Sequence, residues 1–225
     1  MKHQDSFTYK QLLTRKYLGS YILSIGLLVV AFVAEHFATL YAHVYIKRPT
    51  SLYVGDLFLD NLPVVDMNFV IIQGALWAIV LSVILVSYYP RKILFALKTV
   101  ALLITVRALF ISLTHVGIYP GQITPGDGFH DAVYLYFNFQ NGYFFSGHTS
   151  MPFLMGLIFW DKKYIRYGYF ALSFIFGISV LLAHTHYSID VLAAPFMAYG
   201  IFHISRVLFR QDFELMHGRP KVPGT

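Results

Sequence analysis

Apolar residues in this chain gather into long unbroken runs separated by short polar punctuation, and the punctuation is where the charges sit. Six runs are long enough to be read as helical spans: Leu18–Leu40, Met67–Ser87, Ile93–Leu113, Phe144–Trp160, Tyr164–Ala183 and Ile189–Phe209. Alternation of strand type is absent, which argues against a transmembrane barrel. The first run is too long for the apolar stretch of a signal peptide and carries Glu35 and His36 where a cleavage site would fall, so it reads as a retained anchor. The expectation is an all-α polytopic membrane protein with six transmembrane helices.

Composition supports that reading. Of 225 residues 57% are hydrophobic and 12% charged, so little is left for a separate soluble domain. We expect an amino-terminal segment 1–17, a six-helix membrane domain 18–210 and a loose Pro- and Gly-containing tail 211–225. With no cysteine, disulfides, thiolate metal sites and cysteine nucleophiles are excluded. The net charge of +6 does not signal nucleic acid, because Lys and Arg are scattered between spans and never form a stripe.

Their placement instead sets an orientation. Lys2, Lys10, Arg15 and Lys16 precede the first span; Arg91, Lys92 and Lys98 fall between the second and third; Lys162, Lys163 and Arg166 between the fourth and fifth; Arg206, Arg210, Arg219 and Lys221 close the chain. The opposite side has Lys47 and Arg48. The positive-inside rule then puts both termini in the cytoplasm and turns the 114–143 connection and the 184–188 turn outward, as for a multi-pass protein of the plasma membrane. Residues 46–66 read as a short outer segment on the membrane surface, and 119–143 as an aromatic, Pro- and Gly-broken loop at headgroup depth, either an aromatic belt or a lid over substrate.

Polar groups at membrane depth are costly, so they mark candidate chemistry. Ser146-Gly147-His148 opens the fourth span: Ser146 is suited to cap the helix, Gly147 allows close approach, and the helix amino terminus can seat a phosphate beside His148. A capped helix with an interfacial histidine is the plainer alternative. His186 and Asp190 are four residues apart, so on one helical turn the carboxylate can fix the imidazole tautomer and leave the other ring nitrogen as nucleophile or base. A helix cap with a paired histidine fits the same spacing. Arg107 lies in the outer half of the third span with no countercharge among its sequence neighbours, so it is either snorkelling or waiting for a phosphate. Glu35, Asp131 and Tyr143 are possible substrate contacts, with Asp127 and His130 further loop candidates.

These motifs resemble those of the type 2 phosphatidic acid phosphatase (PAP2) superfamily, whose members have a six-helix membrane core, and the local sequence is more similar to its sphingomyelin synthase branch. The likeness lies in Ser146-Gly147-His148-Thr149, in His184-Thr185-His186-Tyr187-Ser188-Ile189-Asp190-Val191, in Asp56-Leu57-Phe58-Leu59-Asp60, and in Arg107 followed by Gly117 to Gly121. It implies His186 as nucleophile, Asp190 as its orienting carboxylate, His148 as acid and then base, and Arg107, Ser146 and Gly147 around the phosphate. It implies membrane lipids as substrates and no cofactor. Departures bear on the reaction: Ser179-Val180 and Ala108 stand where the phosphatase branch has phosphate-binding Arg and a Pro, and Asn141-Gly142 where the synthase branch commonly has an acid. The expected activity is transfer of a phospho-headgroup between lipids. Hydrolysis to free phosphate is the alternative. Two readings from other classes are a zinc hydrolase using His148, His184, His186 and Asp190, and a non-catalytic lipid-binding or transport protein.

Overall fold

A computed structural model describes residues 7–46, 48, 52–124 and 143–218. The elements are α1 (Tyr9–Leu12), α2 (Arg15–Ile46), α3 (Phe69–Tyr88, whose first turn is a π-helix), α4 (Pro90–Leu113), α5 (Gly147–Ile158), α6 (Lys163–Leu182), α7 (Ser188–Leu208) and α8 (Arg210–Met216). There is no strand among the described residues. Five of these helices, α2, α3, α4, α6 and α7, are long and apolar enough to cross a membrane.

The expected fourth span is different. It folds as the 12-residue α5, about 18 Å long by helical rise and well short of a hydrocarbon core of about 30 Å. Ser146 caps its start, Phe159 leaves the helical conformation at its end, and Lys92 Nζ donates to the Ile158 carbonyl at 2.9 Å there.

Helix α4 is the axis of the bundle. Twelve of its 24 residues are buried, whereas Gly74–Tyr88 of α3 buries none and presents Trp77, Val83 and Ile84 outward, a face suited to lipid. Helix α2 lies along α4 through small residues: Ala31, Ala38 and Ala42 are buried, facing a stripe of Ala101, Ile104, Ala108 and Ile111. Small side chains let two backbones approach where lipid offers no hydrophobic drive. Glycines do the same beneath the site. A Cβ on Gly156 would fall 2.4 Å from the Phe170 ring of α6, and one on Gly177 would sit 3.0 Å from Val191 of α7.

Two expectations are corrected. Residues 211–216 are not a loose tail: they form most of α8, with Asp212, Leu215 and Met216 buried. Lys98, read as one of the charges punctuating the spans, is itself buried, and its ammonium holds Asp212 at 2.5 Å and Ser20 at 2.7 Å. Lys92 likewise pairs with Asp161 at 2.6 Å. Both lysines lie near the start of α4, so α1 and α8 pack at one end of the bundle; the Tyr9 hydroxyl reaches the Ser87 carbonyl there.

Breaking such a buried pair on one side leaves a charge without compensation, at about 3–5 kcal/mol. Asp212→Ala is therefore expected to lower the thermal unfolding temperature in detergent sharply, and Lys98→Met with Asp212→Leu to restore most of it. Equal unfolding temperatures for wild type and Asp212→Ala would contradict this role.

Candidate active site

At the other end of α4, three local structures are drawn together by one carboxylate. Helix α6 ends in a reversal at His184, which takes a left-handed backbone (φ 53°) while its N–H reaches Leu181 and the next N–H, of Thr185, reaches Val180, both at 3.0 Å. The chain emerges as His186-Tyr187 and enters α7, where Asp190 is the third residue. Asp190 Oδ2 accepts from Tyr187 N–H at 3.2 Å and lies 3.2 Å from His186 Nδ1; Oδ1 accepts from Phe144 N–H at 3.1 Å. Its main-chain carbonyl accepts from Ser146 N–H at 2.9 Å. Phe144 is itself left-handed (φ 69°), a strained state for a bulky residue that the bond to Asp190 helps to hold.

His186 and Asp190 are both buried, and the Asp190 carboxylate faces the N–H groups of Tyr187 and Phe144 and the His186 ring. A proton on His186 Nδ1 completes that set and leaves Nε2 as a lone-pair nitrogen. The His148 ring faces His186 with centroids 6.3 Å apart, and Phe176 flanks His148 at 6.1 Å. Tyr143 walls the other side, 6.4 Å from the His186 ring, its hydroxyl donating to Gln122 Oε1 at 3.0 Å. Burial pushes the Tyr143 phenol up, so it stays protonated. The four-residue spacing thus brings His186 and Asp190 together as expected, with His148 opposite.

Ser146 is a cap, as expected. At the first turn of α5 its Oγ accepts from Thr149 N–H at 3.4 Å, and its own N–H is given to the Asp190 carbonyl. Arg107 lies against this turn: its Nε donates to the Phe145 carbonyl at 3.2 Å, and a Cβ on Gly147 would sit 3.4 Å from that nitrogen.

Arg107 does have a countercharge. Glu35, expected at most to line substrate access, forms an ion pair with the Arg107 guanidinium from α2, and both side chains are largely buried. A sequence signal was present. Glu35 is four residues after Ala31 and three before Ala38, and Arg107 is three after Ile104 and four before Ile111, so both fall on the facing stripes.

The 46–66 segment was expected on the membrane surface, yet Asp56 is buried and reaches the site. Its Oδ1 accepts from Phe58 and Leu59 N–H at 3.0 and 3.2 Å, and its Oδ2 accepts from Ser188 N–H, the first of α7, at 2.7 Å. Asp60 accepts the Tyr119 hydroxyl, a bond that with burial raises the phenol to about 12. Asp131, Asp127 and His130 lie outside the described residues. His184 does not join a metal set: its ring packs on Tyr119 at 5.2 Å, and among the described residues no three His, Asp or Glu converge as a metal ion requires.

Residues 141–207 match the family described as PAP2 superfamily C-terminal. Over this stretch the chain is similar to the PAP2 superfamily. It covers α5, α6 and α7 with the turn between the last two, which carry His148, His186 and Asp190. An uncharacterized protein of Methanocaldococcus jannaschii is 31% identical over 80 residues, a stretch covering 33% of this chain and 34% of that protein. The chain therefore spans about a third of the length of the relative it matches. No solved structure gives a significant match.

Asp56 supplies a pH dependence. Burial alone would raise its carboxyl, but the N–H donors of Ser188, Leu59 and Phe58 outweigh it and hold the group below its ordinary value. A carboxyl with a lowered folded pKa stabilises the native state fully above the unfolded value, and that contribution is lost as pH falls through the folded one. Wild type is expected to lose thermal stability in detergent below about pH 4, and Asp56→Asn to be less stable at neutral pH with a flatter acid limb. Parallel acid limbs for the two would contradict the assignment.

Proposed function

We propose that this chain is a membrane lipid phosphotransferase of sphingomyelin-synthase-like type, moving a phospho-headgroup from a phospholipid to a lipid hydroxyl. The observation that carries the reading is the His186–Asp190 pair facing His148 across 6.3 Å beside Arg107 and the amino terminus of α5. His186 Nε2 attacks phosphorus as Asp190 holds the proton on Nδ1. The N–P bond forms, the P–O bond to diacylglycerol breaks, and His148 protonates the departing oxygen. Arg107 and the Gly147 and His148 N–H groups stabilise the equatorial oxygens. In the second half His148 takes the proton of the acceptor hydroxyl, whose oxygen displaces His186. Asp190, Phe144 and Ser146 keep the two histidines in register throughout.

The same reading has six membrane crossings with both termini in the cytoplasm. Helix α5 crosses with its flanking aromatics Phe144, Phe145 and Trp160, so the site is sunk below the extracytoplasmic surface. A sunken site limits water and favours a lipid acceptor. Val180 and Ala108 leave the phosphate with Arg107 as its main cation, which suits a singly charged diester better than a nearly dianionic monoester.

With purified protein, a phospholipid diester and an added lipid alcohol are expected to give a headgroup-transfer product, faster than phosphatidic acid gives free phosphate. His186→Ala is expected to abolish turnover, and Asp190→Asn to reduce it about a thousandfold or more while the protein stays folded. Faster release of free phosphate from phosphatidic acid, unaffected by the alcohol, would move the chain to the phosphatase reading.

A further inference from the structure

Glu35 holds a charge that the transfer mechanism does not use. One oxygen, Oε1, is committed to the Arg107 guanidinium; the other, Oε2, is buried with no hydrogen-bond partner among the described residues. A buried carboxylate oxygen left without a donor is costly, so an unmatched acceptor at this depth is informative. Arg107 in turn contacts the first turn of α5 through Phe145 and Gly147, so Glu35 stands one guanidinium away from the phosphate seat.

Consider what a phosphate does on arrival. It takes the guanidinium, and the resting ion pair becomes one cation shared by two anions. A phosphomonoester worsens that balance, because it brings nearly two charges. A donor that carries its own cation on the headgroup restores it: the phosphate matches Arg107 and the headgroup cation matches Glu35. The vacant Oε2 adds a further demand, for an N–H. A primary ammonium has three N–H donors, whereas a trimethylated ammonium supplies the charge and no donor.

We propose that Glu35 reads the donor headgroup and selects a phosphodiester bearing a hydrogen-bonding cation, a primary ammonium of the phosphoethanolamine type. The assignment rests on the transferase reading for its donor class and makes Glu35 the specificity-determining residue of that site. Glu35 lies on α2, outside the α5–α7 segment that carries the histidines, so headgroup choice and chemistry are supplied by different parts of the chain.

The test uses the full chain with His186→Ala, so that donors bind without being consumed. Displacement of a tail-labelled fluorescent phosphatidylethanolamine is measured with unlabelled dioleoyl phosphatidylethanolamine and its mono-, di- and trimethylated counterparts, together with phosphatidylglycerol. Affinity is expected to fall with each methyl and to be about tenfold weaker once the third removes the last N–H, with phosphatidylglycerol weaker still. Adding Glu35→Gln is expected to bring the methylation series within about threefold. A trimethylated lipid binding as tightly as the primary ammonium would overturn the proposal, and so would an unchanged ranking in Glu35→Gln. If Glu35→Gln does not fold, the methylation series with Glu35 intact still decides. Absence of turnover by wild type on every donor would remove the transferase reading and leave this ranking readable.

Discussion

The structure around the site depends on the carboxylate of Asp190. It accepts from His186, Tyr187 and Phe144, while the carbonyl of the same residue accepts from Ser146. Those four donors belong to the α6–α7 turn and to the approach to α5, segments about 40 residues apart in sequence that share no other element. A carboxylate has roughly four lone-pair directions, and here three are filled by N–H groups of fixed geometry. The carboxylate thus joins two helix ends, fixes a ring orientation and stabilises a left-handed Phe144. A low-dielectric surrounding makes each of these bonds stronger, and the loss of any one more costly.

Helix α4 shows the same logic in its cations. Lys92, Lys98 and Arg107 all lie within an apolar helix, and each is matched by an acid from elsewhere: Asp161 after α5, Asp212 on α8 and Glu35 on α2. Buried pairs of this kind contribute little net stability because desolvation offsets most of the attraction, but a wrong register would leave unmatched charge. They therefore specify how α2, α5 and α8 sit on α4. At the end away from the site the pairs are closed, with Ser20 and Ile158 taking further donors of the lysines. At the site end, by contrast, Glu35 Oε2 has no donor among the described residues.

What the sequence disclosed was local. Apolar runs gave five of the helices, because a span is a property of one segment. The Ser146 cap and the His186–Asp190 pair were legible because capping and four-residue contacts are set within a turn or two. Contacts between segments were not. Asp56 on Ser188 and Glu35 on Arg107 depend on which helix faces which, and Arg107 accordingly looked unpaired beside Val106 and Ala108. The helix of the fourth run is shorter than the run because an apolar run shows where a helix is soluble in lipid and not where it is capped; Ser146 at the start and Phe159 at the end hold α5 to 12 residues. The tail looked loose because its Pro and Gly residues lie just beyond a short amphipathic helix whose single buried acid, Asp212, is recognisable only once Lys98 is beside it.

The central claim is that Asp190 makes His186 the residue that takes phosphorus. The most direct measurement is mapping of the covalent intermediate by rapid acid-free quenching and peptide mass spectrometry, with a donor labelled in its headgroup. The account predicts a phospho-headgroup adduct on His186 alone, formed within one turnover by wild type and far more slowly by Asp190→Asn. An adduct on His148, or on His186 at an unchanged rate in Asp190→Asn, would contradict it.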